Sequence, residues 1–439
     1  MNIATTPNSL ENQWLPFTPN RAFKKDPRLL AGAKGVYYHN QRGDKLLDSS
    51  SGLFCCALGH GRQEITDAVS AQIAEMDYNP PFQYANAQSF ELARMITDIT
   101  PEPMNHVFFT NSGSESIDTA LKMALMYHRV KGQSSRQRFV GRERGYHGVN
   151  FGGMSVQGMV KNKEAFGTGL PGVVHMRHTH IDENRMKLGQ GEHGADLAND
   201  LQRFVDLYGA DSIAACVVEP IAGSTGILVP PVGYLQRLRE ICDQHGILLI
   251  FDEVICGFGR TGEAFGSQAF GVTPDIMTLA KALTNGAIPM GAVVVRDEIY
   301  ESIVEATPEG GIEFFHGYTY SAHPVACAAG LATQKIYRDE GIFEQAKGKT
   351  GNFMAHVEAL KDISSIVDLR AYGLLAGIDL EPSPDGPGKR GAALIKECFE
   401  KGMVVRAGMD TIMVSPPLVI NEDEMDQMFE ILRDVIKSV

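Results

Sequence analysis

The chain has 439 residues, with 40 Lys+Arg against 53 Asp+Glu for a net charge of −13, and 44% of its residues are apolar. That length supports a large core and more than one domain of the usual size of roughly 100–200 residues. The acidic balance argues against nucleic-acid backbones and membrane surfaces as partners. Seven cysteines with no C-x-x-C spacing fit neither a disulfide framework nor a structural zinc site, and read as reduced thiols. The first residues, Met1 to Asn8, lack the basic start and apolar stretch of a signal peptide, and no apolar run approaches the roughly 18 residues of a membrane span. A cytoplasmic protein is expected.

In chain order, a β-rich apolar run over 106–110 turns through Ser112, Gly113 and Ser114 into helical spacing at Ile117, Leu121, Ala124, Leu125 and His128. Further strands are predicted over 213–218, 247–251 and 292–295, and Tyr234, Leu235, Leu238, Ile241 and Cys242 predict a helix just before the strand at 247. This alternation predicts an α/β domain with a mainly parallel, doubly wound sheet flanked by helices, which collects ligands at the carboxyl ends of its strands. After about residue 330 the pattern changes. A helix over 353–360, strands over 374–380 and 404–406, and an amphipathic helix over 425–436 predict a smaller α+β unit.

Three segments carry chemistry. Ser112-x-x-Glu115 has capping-box spacing, so the helix start offers free N–H groups and a positive dipole end to an anion. A capped helix without a ligand reads the same way. The apolar strand ending in Asp252-Glu253 brings two carboxylates to its tip, where a buried acid needs a partner: a protonated heterocycle, a metal, or simply solvent at a surface loop. Lys281, in an apolar stretch before Asn285-Gly286, is placed for desolvation to lower its pKa and make the amine nucleophilic. A lysine snorkelling from a helix rim is the plainer alternative.

Other signals are weaker. Gly257-Phe258-Gly259-Arg260-Thr261-Gly262 matches the dinucleotide fingerprint in letters, but Gly266 and Gly271 follow where the fingerprint needs a helix. His175, His178 and His180 with Asp182 resemble a metal cluster crowded into one loop, and metal binding is not expected. Tyr146, next to His147-Gly148, suits stacking on a planar ligand.

An anion site, an acid at a strand end, a lysine about thirty residues later and a stacking aromatic are the parts that hold pyridoxal phosphate. The sequence resembles the class-III (ω-) aminotransferases of fold type I, and within them the β-alanine/ω-amino acid–pyruvate aminotransferases. The resemblance covers essentially the whole chain. It is carried by Trp14-Leu15-Pro16-Phe17-Thr18, Ser51-Gly52-Leu53-Phe54, Gly59-His60-Gly61, Thr110-Asn111-Ser112-Gly113-Ser114-Glu115 and Gly145-Tyr146-His147-Gly148. It continues through Phe251-Asp252-Glu253-Val254, Gly257 to Gly262, Ala280-Lys281, and His316-Gly317-Tyr318-Thr319-Tyr320-Ser321-Ala322-His323-Pro324.

The resemblance implies a role for each matched residue. Lys281 binds the cofactor covalently and moves the substrate proton. Asp252 pairs with the pyridine nitrogen, and Gly113 and Ser114 hold the phosphate. Thr319 reaches that phosphate from the other subunit of a homodimer, with a tetramer as the alternative assembly. Tyr146 stacks on one ring face, Val254 packs on the other, and Glu219 lies near the ring hydroxyl. Ile255 stands where many members have glutamine, so that hydrogen bond to the ring oxygen is missing. Arg406 matches a mobile arginine that pairs with a carboxylate and can swing aside, Phe54 a pocket-wall aromatic often larger in relatives, and Phe17 an entrance cover. Met413 adds an apolar group that favours amines slightly over ω-amino acids.

The implied organisation is an N-terminal segment over 1–60, a cofactor domain over 61–330 and a small domain over 331–439. The implied reaction moves an amino group from β-alanine, ω-amino acids or primary amines to pyruvate. A diamine transaminase or a glutamate-semialdehyde mutase would keep the same cofactor residues. An NAD-dependent dehydrogenase or a non-catalytic binding protein are the readings from other classes.

Overall fold

The computed structural model describes residues 10–439 of the chain. Among them, eight strands form a central sheet. Its order is Met104–Thr110, Gly291–Arg296, Ile276–Leu279, Leu248–Asp252, Ile213–Val218, Arg138–Glu143 and Gln157–Gly158, with Val173–Met176 also on Arg138–Glu143. All neighbours are parallel except at Gly291–Arg296, which runs antiparallel to both strands beside it. The cause is local. Residues 280–290 carry a single short 3-10 turn, Lys281–Thr284, rather than a crossover helix, and a parallel neighbour requires a crossover.

The strands Ile213–Val218 and Leu248–Asp252 are buried at every position, as continuous apolar runs between two helical layers should be. Ile250 packs with Ile117 and Leu121 of the helix Gly113–Val130. Leu249 and Phe251 point the other way, into a cluster with Leu235, Leu238 and Ile241 of the helix Tyr234–His245. Each such side chain contributes about 1.5–3 kcal/mol by leaving water. The central strands are thereby packed on both faces.

Two smaller sheets lie beside it. Leu30–Lys34, Tyr37–Asn40 and Lys45–Asp48 form an antiparallel meander completed by Met403–Val404. Ile366–Tyr372, Leu375–Leu380, Thr411–Val414 and Arg406–Gly408 form the other. The single strand expected over 404–406 is therefore two, and the chain changes sheets at Val405. The helix expected over 353–360 starts earlier, as Ile342–Glu358. Gly348 and Gly351 inside it lower the helix propensity that would have marked its first turns. The helix Pro324–Asp339 runs unbroken through residue 330. No helix of the described residues is long and apolar enough to cross a membrane.

Candidate active site

A cavity of about 140 Å³ opens at the carboxyl ends of the central strands. Strand Leu248–Asp252 delivers Asp252 to it, strand Ile213–Val218 is followed by Glu219, and strand Ile276–Leu279 is followed by Lys281. Lys281 takes φ = +50°, a left-handed conformation that an L-residue adopts only when its surroundings impose it. Burial pulls its ammonium pKa down, against the opposing pull of Cys55 and Asp252, which favours the free amine.

The anion end of the cavity is the start of the helix Gly113–Val130. Ser112 caps it by accepting from Glu115 N (3.2 Å). Glu115 reaches back one residue further than a capping box requires, to Asn111 N (2.7 Å). The N–H groups of Gly113 and Ser114 have no partner within the helix. Gly148 closes over them with φ = +89°, and a Cβ there would lie 2.4 Å from Ser114 Oγ. Only glycine permits that approach. Val149 N donates to Ser114 Oγ (3.0 Å), and a Cβ on Gly113 would stand 3.1 Å from Val254.

The two carboxylates of Asp252-Glu253 part ways. Asp252 faces the cavity, its Oδ2 2.9 Å from His147 Nδ1 and its Oδ1 accepting from Val254 N (3.1 Å). Glu253 turns inward and accepts from Gly266 N (2.9 Å) and Ser267 N (2.6 Å), with burial pushing its carboxyl up to about 7. Glu219 accepts from Tyr146 N (2.9 Å) and Gly223 N (3.0 Å), so it sets the backbone that carries Tyr146, and burial raises it to about 6.

Phe54 and Arg406 extend the site. The Phe54 ring is buried close to two basic side chains, with Lys281 Nζ 5.3 Å and the Arg406 guanidinium carbon 5.9 Å from its centroid. Arg406 forms no ion pair among the described residues, and its Nε is buried without a hydrogen-bond partner. Burial lowers its pKa. A half-buried guanidinium whose enclosed Nε lacks a partner is a costly arrangement, and an anionic ligand relieves it. Ile255 lines the cavity and supplies no polar atom. Met413 is buried in the strand opposite Arg406.

Two expected site residues are not brought to this cavity within one chain. Thr319 is exposed on a loop, where its carbonyl accepts from Tyr78 OH (3.0 Å). Phe17 is 77% exposed. His147 is the residue that sequence reasoning passed over. Its signal was its place between Tyr146 and Gly148, but the contact with Asp252 crosses 105 residues and leaves no local pattern.

The remaining motifs resolve into structural roles. No helix opens at Gly262, and Arg260 is buried, donating to Ser51 Oγ (3.0 Å). The histidines do not share one loop: His175 lies in the strand Val173–Met176 and bonds to Gln157 O (3.0 Å). His180 meets Asp368 (2.7 Å) and lies near Asp379, both of which also bind Arg370. Asp182 belongs to neither group. Those carboxylates already have a resident cation.

The model of the class-III aminotransferases matches residues 21–436. The chain belongs to that family. This aminotransferase is 50% identical to an omega-aminotransferase of Caulobacter vibrioides, over 98% of each chain. It is 46% identical to an omega-amino acid–pyruvate aminotransferase of Pseudomonas putida, over 98% of this chain and 96% of that one. Among solved structures, an omega transaminase from Pseudomonas jessenii in complex with PMP is 33% identical. It superimposes with a TM-score of 0.92 over 97% of this chain and 96% of that one. The aminotransferase is thus a fold type I, pyridoxal-phosphate-dependent transaminase. Its residues fit that cofactor: free helix-start N–H groups for a phosphate, a carboxylate for a ring nitrogen, and a desolvated lysine amine.

Proposed function

We propose that the aminotransferase moves an amino group from β-alanine, other ω-amino acids or primary amines to pyruvate, giving an aldehyde or ketone and L-alanine. The observation that carries this reading is Arg406, a half-buried guanidinium that forms no ion pair among the described residues and lies beside the Phe54 ring. Pyruvate brings a carboxylate to it, and an amine donor without one can use the apolar face instead. The names of the relatives at 46–50% identity agree with this chemistry.

Bound pyridoxal phosphate supplies an electron sink for the pair left when the donor carbon loses its proton. The chain does the rest. Gly113 and Ser114 hold the phosphate, and Asp252, oriented by His147, keeps the ring nitrogen protonated. Tyr146, Val254 and Glu219 line the cavity, where the first two would confine the ring and Glu219 would serve its hydroxyl. Lys281 would anchor the cofactor covalently between turnovers, and its Nζ, set free when the incoming amine takes its place, would carry the proton from the donor carbon and to the acceptor carbon. Arg406 pairs with the pyruvate carboxylate in the bidentate manner open to a guanidinium.

A homodimer, with the option of pairing into a tetramer, completes this reading. Thr319 of a second copy would reach the phosphate, and Phe17 would cover an entrance. A cytoplasmic location is supported by seven free cysteines, the state that reducing compartments maintain.

A donor screen with pyruvate as acceptor, reading alanine formation, tests the reading. Turnover of β-alanine and of 1-phenylethylamine is expected. Efficient use of glyoxylate or 2-oxoglutarate with none of pyruvate would overturn the acceptor assignment.

A further inference from the structure

The turn that carries Phe54 is conformationally expensive. Ser51, Gly52 and Phe54 take φ values of 48°, 69° and 63°, in the left-handed region that disfavours the two residues with a Cβ. Such a turn persists only where surrounding contacts over-determine it. Asp48 supplies several of them. Fully buried at the end of the strand Lys45–Asp48, it accepts from Ser50 N at Oδ1 (3.0 Å) and from Gly52 N at Oδ2 (2.7 Å). The same Oδ2 lies 2.9 Å from His60 Nε2. His60 is itself fixed by a reciprocal main-chain pair with Gly35, at 2.7 and 2.9 Å.

The clamped turn is tied to the segments that carry both Lys281 and Arg406, the two basic side chains near the Phe54 ring. Ser49 N and Oγ donate to Val404 O (3.0 and 2.8 Å), two residues before Arg406. Ser51 Oγ donates to Ser415 O (2.8 Å) and accepts from Arg260. On the other side, Asn285 follows the 3-10 turn that Lys281 opens. It accepts from Leu58 N and donates to Gly59 O, each at 2.8 Å. Asp48 therefore acts at the centre of a segment bonded on one side to Val404, at the end of the strand that precedes Arg406, and on the other to Asn285, just after the turn that Lys281 opens.

We propose that Asp48, backed by His60, is a positioning residue that holds the Phe54 ring close to Lys281 and Arg406 and so sets which amine donors the pocket admits. Asp48 does not line the cavity and acts through Phe54. The proposal rests on reading Phe54 as the pocket wall, so the test includes a control for that reading.

Asp48→Asn keeps the shape of the side chain but turns one acceptor atom into a donor, so a facing N–H loses its partner. The readout is the ratio of kcat/KM for 1-phenylethylamine to that for β-alanine, with cofactor content per chain measured alongside. Asp48→Asn is expected to shift the ratio by about 5-fold or more, in the range by which pocket contacts separate substrates. His60→Ala should shift it in the same direction, and His60→Gln, whose amide can still donate to Asp48, should restore it.

Equal losses for both donors in Asp48→Asn and His60→Ala would mark a purely structural role and overturn the proposal. If Asp48→Asn fails to fold, the His60 pair decides alone. Phe54→Ala is the control. If it leaves the ratio unchanged, the pocket-wall reading fails and takes the proposal with it. If it shifts the ratio while the clamp variants do not, the proposal alone fails.

Discussion

The Nδ1 of His147 lies 2.9 Å from Oδ2 of Asp252, and both side chains are buried. With Nδ1–H donating, the imidazole fixes the carboxylate, while Val254 N holds its other oxygen. A hydrogen bond to a charged group contributes about 1.5–3 kcal/mol. His147→Ala should therefore weaken cofactor binding by roughly 10- to 100-fold. Titration of the cofactor-free protein with pyridoxal phosphate measures it, and unchanged affinity would remove His147 from the cofactor site.

Lys281→Ala should abolish transamination while leaving the fold intact. The direct measurement is mass spectrometry after borohydride treatment. The parent should retain the cofactor mass on the peptide containing Lys281, and the variant should retain none. A variant with near-parental turnover would support a non-catalytic role for the lysine.

Phe54→Trp tests the pocket wall by addition rather than removal. The larger indole takes space beside Lys281, so the preference for 1-phenylethylamine over β-alanine should fall by about 10-fold, the scale on which small volume changes act in apolar pockets. Parallel steady-state kinetics with the two donors decide it.

Arg406→Ala removes the unpaired guanidinium. Activity with pyruvate should drop by roughly 100-fold in kcat/KM, in keeping with the loss of a buried charge pair, whereas the half-reaction with 1-phenylethylamine should fall far less. Single-turnover measurements of each half-reaction separate the two. Equal losses would place Arg406 outside carboxylate recognition.

Glu253 links stability to pH. Burial raises its carboxyl from 4.5 to about 7, so the folded chain holds this proton in a window where the unfolded chain has released it. Stability from this group is then present below about pH 4.5 and is lost as pH rises towards 7. The swing amounts to about 3 kcal/mol. Glu253→Gln lacks it, so between about pH 5 and pH 8 urea unfolding should show the variant gaining on the parent. A pH-independent difference between the two would refute the assignment.

The sequence alone was enough to place the strands that carry the site, and the reason is burial. The run Ile213–Val218 is apolar at every position because both faces of the sheet are covered, and such runs are visible without coordinates. The helix start at Gly113-Ser114 was legible from its Ser112 cap, a local signal. Lys281 and Asp252 stood out as polar residues at the ends of apolar stretches, and the ordered family motifs supplied their roles.

What only the tertiary structure decided involves partners far apart in the chain. Whether Asp252 or Glu253 faces the ligand depends on which finds its partner elsewhere, His147 for one and the Gly266 and Ser267 N–H groups for the other. The change of sheet at Val405 is likewise set by neighbours distant in sequence. The same holds for Phe54, which meets Arg406 only because a strained turn is clamped by Asp48 and bonded to Val404 across 355 residues. Composition and spacing report how each residue treats water and its near neighbours. The choice among distant polar partners is made by packing, and it left no periodic trace in the chain.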